Sequence, residues 1–545
     1  MLKDDNSRAR FFAAEALGRI AYEPAITPII ELLKSNNDED AFIRHAGSLA
    51  LARIGKAEPI ISLSNHPSRA VRIAAVVALR RMANPGIAVF LKDEDEFIVT
   101  EAARAINDDL SIEQALPALG EVLSDNGEVL KKNRFTTEAL LRRAISANLR
   151  VGTEKAMQNL IDYAALESAP VAMRSEAIAA LSTWAKPSVL DRVDGRFRGE
   201  INRDPVAVRS KSGDALVLLT ANKEPLIRIG AMKAISKLKI DAVSSQASSK
   251  LFILLKTDPQ PAVRSEALKA LASIGDKQIG EAIKQALSDK EKSVRVTALD
   301  LLPKMNISKD LMVALLTDVI NTRTPEEKQA AITTLGGLPL ANSQPVLEQL
   351  LSKMENGKLP PETYLELAEA IDSTHSPQLI TRYKELNKKL SPDSLTASYE
   401  GSLMGGDVNR GTRIFYGNLA AQCIRCHAYG DYGGNAGPRL NGVAARLTRE
   451  QILESLINPS ARLAPGFGTV ALELKDGKKI NGILQQEKPK GLLVKIGDKP
   501  DTLINIKDIA TRTNGVSSMP PMRFLLTKKE IRDLVSFLAT LKEDD

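Results

Sequence analysis

One short pattern recurs from residue 1 to about residue 390 and constrains the fold of this 545-residue chain more than any other feature. An arginine opens it. Alanine follows three positions on, then alanine or serine, then leucine, and often a closing Ile-Gly. "RFFAAEALGRI" starts at Arg10, "RHAGSLALARIG" at Arg44 and "RIAAVVALRRM" at Arg72. Further copies start at Arg174, Arg228, Arg264 and Arg295, and a weaker one at Arg209. Spacings include 34 residues (Arg10 to Arg44), 28 (to Arg72), 36 (Arg228 to Arg264) and 31 (to Arg295). Small residues at i, i+3 and i+6 or i+7 line one helix face, which a second helix can approach closely.

Between the copies lie turns rich in Pro, Asn, Asp and Gly, such as "SNHPSRA", "KTDPQPA" and "SDKEKS". Each unit is therefore a helical pair that cannot bury its own apolar face, and stacking makes the core continuous. The pattern resembles the HEAT repeat family, including a Pro/Asp-Val-Arg entry into the second helix. The resemblance covers roughly residues 1–390 and is poor around 110–165 and 185–205. It implies a mostly α chain, an α-solenoid of HEAT-like repeats. The first copy, "NSRARFFAAEALGRI", is already of second-helix type, so further chain is expected upstream of residue 1.

Composition agrees with Ala/Leu-rich helices: 43% of residues are hydrophobic and only 4% aromatic. No stretch approaches ~18 continuous apolar residues, so no transmembrane helix is expected. No signal peptide is visible at the N-terminus. The net charge of +7 is concentrated in the last quarter. Residues 406–545 hold 21 Lys and Arg against 15 Asp and Glu, whereas residues 1–405 hold 53 against 52. Such an excess aids solubility or steers an acidic partner. The basic residues are scattered and no nucleic-acid motif accompanies them, so no nucleic-acid partner is expected.

Within the array, His45, His66 and His375 are far apart in sequence and lack metal-ligand spacing, which makes them surface or capping residues. The recurring arginines are expected to hydrogen-bond between repeats rather than to bind phosphate. Trp184 is expected in the core or a groove. The concave face is a candidate surface for a protein partner.

Chemistry concentrates after "YEGSLMGGDVNRG" (399–411), where the repeats end. The chain has two cysteines, too few for a disulfide framework, and both lie in Cys423-Ile424-Arg425-Cys426-His427. This C-x-x-C-H motif reads as a c-type haem attachment site. Two thiols three residues apart reach the two haem vinyl groups, and the adjacent histidine faces the iron. A zinc site wants four ligands and finds three locally. A thioredoxin-like dithiol wants a βαβ context that is absent. A haem domain also needs a backbone carbonyl to take the other imidazole proton and a distal sixth ligand, for which Met suits electron transfer. Pro438, eleven residues after His427, offers a carbonyl with no competing N–H of its own. "VSSMPPM" (516–522) offers Met519 and Met522.

These segments resemble a class I monohaem cytochrome c: "GDVNRGTRIF" for the first helix, "CIRCH", "GPRL", a middle helix "TREQILESLINPS" (448–460), "SMP", and "LTKKEIRDLVSFLATL" (526–541) for the last. The resemblance implies one covalent haem c on Cys423 and Cys426. It implies His427 and Met519 as axial iron ligands, and the Pro438 carbonyl as acceptor of the His427 proton. It also implies that Gly411 and Phe415 pack on Phe537. Met519 is favoured over Met522 because a proline follows it; Met522 is expected to pack.

The chain departs from that pattern by about 60 residues between the middle helix and Met519. The segments 467–474, 479–485, 491–496 and 502–506 alternate polar and apolar residues, which predicts a small antiparallel β-insert at about 466–508. It shields a haem edge, docks a partner or acts as a spacer. The expected organisation is repeats over 1–390, a linker at 391–405 and the cytochrome domain over 406–545. The combination resembles bacterial fusions of a sugar-dehydrogenase-like propeller, HEAT repeats and cytochrome c. That implies a periplasmic or otherwise extracytoplasmic location and electron transfer with a redox partner protein, a dehydrogenase donor and a cytochrome or oxidase acceptor. The alternatives are a haem-containing subunit or fragment of a PQQ/sugar-type dehydrogenase with its catalytic domain upstream, and a HEAT binding scaffold with a secondary haem. No catalytic set of the chain's own is seen.

Overall fold

The computed structural model describes residues 1–124, 137–240, 245–390, 394–464, 466–497 and 499–543. Residues 391–393 of the expected linker and position 498 of the expected insert lie outside the described residues. The chain divides into two compact units, Met1–Met305 and Asn306–Asp545.

The first unit is a succession of helices, and the recurring motif forms the second helix of each pair. Its copies become Ser7–Arg19, Ala41–Ile54, Arg69–Arg81, Val171–Ser182, Pro225–Leu238, Pro261–Ile274 and Lys292–Leu301. Proline at the first helical position, as in Pro225 and Pro261, needs no hydrogen-bond partner for a missing N–H. The closing Ile-Gly of the motif ends two of these helices. Gly55 and Gly275 sit there in the left-handed conformation that a side chain disfavours.

The motif arginine has one repeated job. Arg10, Arg72, Arg228, Arg264 and Arg295 each donate from Nη1 to the backbone carbonyl six residues earlier, at 2.7–2.9 Å. Arg72, Arg228 and Arg264 also reach into the next turn along the chain: Arg72 to Asp93 at 2.8 Å, Arg228 to Asp258 at 2.8 Å and Arg264 to Asp289 at 2.7 Å. Asp258 and Asp289 serve two repeats at once, with the carboxylate taking one arginine and the carbonyl the next. A fixed guanidinium fork suits this double task, which a lysine could not perform. Arg174 departs from the pattern and donates from Nε to the Ala164 carbonyl. It precedes the irregular stretch between Ser182 and Pro205, where an isolated Leu190–Phe197 bridge replaces a helix. Trp184 is buried there, with the Arg203 guanidinium 4.8 Å over its ring.

The second unit continues with repeat helices Lys309–Thr322, Pro325–Gly336, Leu340–Glu355, Tyr364–Thr374 and Pro377–Leu390. A C-terminal lobe follows, with helices Val408–Gly417, Arg449–Ile457 and Lys528–Leu538. Each has a side-chain cap at its N-terminus. Asp407 accepts from the Arg410 N–H, while Thr448/Gln451 and Thr527/Glu530 form capping boxes. Their apolar faces share one core that includes Phe415, Leu453, Met522, Leu534 and Phe537.

A short hairpin, β1 (Ala428–Tyr429) with β2 (Tyr432–Gly433), follows the cysteine motif. The insert is an antiparallel sheet of β3 (Thr469–Leu474), β4 (Lys479–Lys488), β5 (Gly491–Lys495), β6 (Thr502–Asn505) and β7 (Ile509–Asn514), in the order β6-β5-β4-β3-β7. Its buried residues, among them Val470, Leu472, Leu484 and Val494, form a core of their own. Four strands follow the alternating segments. The fifth was not legible: "IATRTN" is solvent-exposed after its first residue, so no apolar alternation marks it. Because β7 pairs with β3, the chain leaves the sheet beside its point of entry, and the Gly515 N–H donates to Thr469 O at 2.8 Å.

No helix of the described residues is long and apolar enough to cross a membrane.

Candidate functional site

The site grows from the close crossing of the helices Val408–Gly417 and Lys528–Leu538. A Cβ on Gly411 would stand 2.1 Å from the Asp533 carbonyl oxygen and 2.7 Å from Phe537 Cβ, so only glycine fits there. The Asp533 carboxylate accepts from the Asp407 N–H at 2.7 Å and from Arg410 Nε at 2.8 Å. Phe415 meets Phe537 with ring centroids 5.6 Å apart, and Tyr429 meets Phe537 edge-on at 6.1 Å.

The chain then turns through Asn418, whose side chain accepts from Ala420 and Ala421 N–H, and through Gln422, which is left-handed at φ 45°. One helical turn, Cys423–Cys426, places both thiols on the same side three residues apart. Both are free; Cys423 is half-buried and Cys426 exposed. Burial pushes the Cys423 thiol up to about 11, away from the thiolate character a redox dithiol needs.

The segment 430–440 is strapped to this turn by three backbone bonds. Gly434 N–H donates to Ile424 O at 2.9 Å, Gly437 N–H to Cys426 O at 2.8 Å, and Leu440 N–H to Ala428 O at 2.9 Å. The strap carries Pro438, whose carbonyl oxygen lies 2.8 Å from His427 Nδ1. A carbonyl only accepts, so Nδ1 bears the proton and the Nε2 lone pair is left free for a metal. Gly437 packs on the imidazole; a Cβ there would stand 2.7 Å from His427 Cε1. Pro438 is legible in the sequence, whereas the part played by Gly434 and Gly437 depends on which backbones touch.

Met519 is half-buried at the border of the lobe core, as are Cys423, Tyr429, Leu440 and Leu447. Met522 is 2% exposed within that core. The Met519 loop is tied down where the insert returns. Ser517 N–H donates to Ser460 Oγ and Met519 N–H to Ser517 Oγ, both at 3.1 Å. The Ser460–Ser517 bond closes the base of the whole insert.

Cys423, Cys426, His427 and Met519 are the side chains here that could hold a cofactor. Two thiols lie three residues apart, an imidazole is held in the Nδ1–H tautomer, and the Cys423 thiol and the Met519 thioether both pack against the lobe core. Among the described residues no group of three or more His, Cys, Asp or Glu is gathered as a bare-ion site. The other three histidines take no part. His45 and His375 are exposed, His375 ends a helix at φ 53°, and His66 Nδ1 accepts from the Ser68 N–H.

Comparison with known proteins bears on the repeats. HEAT repeats match residues 248–336, and the PBS lyase HEAT-like repeat matches residues 9–35. The array is a solenoid of HEAT-like repeats. Similar solved structures include an engineered protein, 20% identical with a TM-score of 0.30, over 55% of this chain and 86% of that one. Importin beta is 12% identical, TM-score 0.35, over 78% of this chain and 62% of that one. Kap121p bound to RanGTP is 13% identical, TM-score 0.40, over 77% of this chain and 52% of that one. The chain thus spans between half and two thirds of the length of those two proteins. No curated protein matches the chain.

Proposed function

We propose that the C-terminal lobe is a class I cytochrome c domain carrying one covalent haem c, and that the protein transfers electrons. The observation that carries this reading is the His427 Nδ1–Pro438 carbonyl bond inside the strapped C-x-x-C-H turn. A structural histidine needs no such strap, whereas a proximal ligand needs its ring fixed and its far nitrogen free. Cys423 and Cys426 would hold the group through thioethers, and His427 Nε2 and Met519 Sδ would ligate its iron. The group supplies a one-electron couple, and methionine ligation raises its potential. The half-buried position of Met519, beside the fully buried Met522, supports Met519 as the sixth ligand.

The partners of such a domain are a dehydrogenase donor and a cytochrome or oxidase acceptor. Covalent haem attachment goes with a periplasmic or otherwise extracytoplasmic location. The excess of Lys and Arg after residue 405 suits an acidic partner. In this reading the repeats are the scaffold or docking surface. A groove of about 570 Å³ along their second helices, lined by Ile229, Lys233, Pro261, Lys269 and Thr297, supports a protein-binding role.

The test is expression of the full chain together with a haem-attachment system in an oxidising compartment. A mass increase of one haem, lost in Cys423→Ser/Cys426→Ser, together with a low-spin spectrum, is the expected result. An unmodified mass, or high-spin iron that binds carbon monoxide at once, overturns the reading.

A further inference from the structure

The stretch 391–405 was expected to be a linker, yet its described part is packed between repeats and lobe. Ser402 is fully buried and donates to the Lys528 carbonyl at 3.0 Å. A Cβ on Gly401 would stand 2.7 Å from Leu365 N, and one on Gly406 2.3 Å from the Arg532 carbonyl oxygen. Gln329, on a repeat helix, donates from Nε2 to both Glu362 O (2.7 Å) and Gly405 O (2.9 Å).

At the centre of this junction Arg532 and Glu366 form a two-pronged pair. Nη1 and Nη2 donate to Oε2 and Oε1, each at 2.9 Å, and both residues are 2% exposed. Glu366 belongs to the repeat helix Tyr364–Thr374, and Arg532 to the last helix of the lobe. The next residue, Asp533, grips Asp407 and Arg410 of the helix that leads into the cysteine motif. Repeat helix, last helix and attachment helix are thus joined by two adjacent charge clusters. Lys529–Glu369 adds a half-exposed pair at 2.7 Å.

We propose that the repeats over 306–390 and the C-terminal lobe are one folding unit, latched by Arg532 and Glu366, so that the redox centre is held in fixed pose rather than swung on a tether. Arg532 is a positioning residue that acts through the helix Lys528–Leu538. The latch stands on contacts alone; only its description as holding a redox centre rests on the haem reading. A desolvated bidentate pair is costly to break from one side, because the abandoned charge stays buried. A swinging lobe would instead present an exposed, wet junction.

The test is hydrogen exchange by mass spectrometry on the full chain. Arg532→Met strands Glu366, and protection is expected to fall at least about 100-fold in both Tyr364–Thr374 and Lys528–Leu538. The double variant Glu366→Leu/Arg532→Met strands neither partner of the pair and is expected to regain most of that protection. The proposal is overturned if the single variant leaves either helix unchanged, or if the double variant is no better. It is also overturned if proteolysis between residues 391 and 405 releases a lobe whose last helix stays protected. A chain that takes up no haem but shows the coupled loss and its recovery would sink the haem reading and keep the latch.

Discussion

Replacing Gly437 with alanine tests the imidazole strap at its tightest point. The new Cβ would lie 2.7 Å from His427 Cε1 and 2.9 Å from Nδ1. Carbon–carbon contacts settle at about 3.5–4.0 Å, so ring and strap must part by roughly 1 Å. The Nδ1–Pro438 bond, 2.8 Å in the native chain, would then stretch past the length at which it counts as a hydrogen bond. Losing one such bond costs about 0.5–1.5 kcal/mol, a factor of about 2 to 13 in the balance between the two imidazole tautomers. The assay is nitrogen-15 NMR of histidine-labelled full chain prepared without haem, where four histidines keep the spectrum readable. The native His427 should be the Nδ1–H tautomer, and Gly437→Ala should shift it toward Nε2–H. Gly417→Ala is the control, since nothing lies within 4 Å of a Cβ there. An unchanged His427 tautomer in Gly437→Ala would refute the argument that Pro438 fixes the ring.

Four other outcomes are expected. Gly411→Ala should destabilise the lobe by about 2–4 kcal/mol in urea unfolding, from overpacking plus strained Asp533 bonds, and an effect no larger than that of Gly417→Ala would contradict the close crossing. Met519→Ala should abolish the methionine–iron charge-transfer band of the haem-loaded protein at little cost in stability, whereas Met522→Ala should cost about 2–5 kcal/mol and keep the band; the reverse pattern would exchange their roles. Burial alone would raise the Asp289 carboxyl, but the Arg264 guanidinium and the Glu291 N–H hold it below its usual range. A depressed folded value means stability that is full above the unfolded carboxyl value and lost as pH falls through the folded one. Acid melts should therefore drop below about pH 4, and Arg264→Gln should flatten that limb for the Asp289 contribution. Thr527→Ala removes the capping box of the last helix and should cost about 1 kcal/mol, read as faster exchange of its first turn.

Much of the site was legible because it is local. C-x-x-C-H fits in one helical turn, and Pro438 lies eleven residues on, within reach of a short strap. Asp407, Thr448 and Thr527 declare their helix starts through side chains that bond three residues away. The recurring arginine was legible as a repeat, and its expected inter-repeat hydrogen bonding is seen in the ladder through Asp258 and Asp289. By contrast, β7 carries no alternation, because its side chains face solvent and only its backbone is used.

The sequence by itself determined the repeat period, the helix caps, the four patterned strands and the spacing of Cys423, Cys426 and His427. Those features arise from periodicity and from contacts a few residues apart. Tertiary structure alone decided where the Met519 loop is anchored, 57 residues from its partner Ser460, and what Glu366 does, 166 residues from Arg532. A lone glutamate on a helix reads as a solvated charge. Only the packing of another helix against it removes the water and makes the pair. Glycines 401, 406, 411 and 437 show the same limit: each answers to a backbone or ring from elsewhere in the chain, which no local sequence signal records.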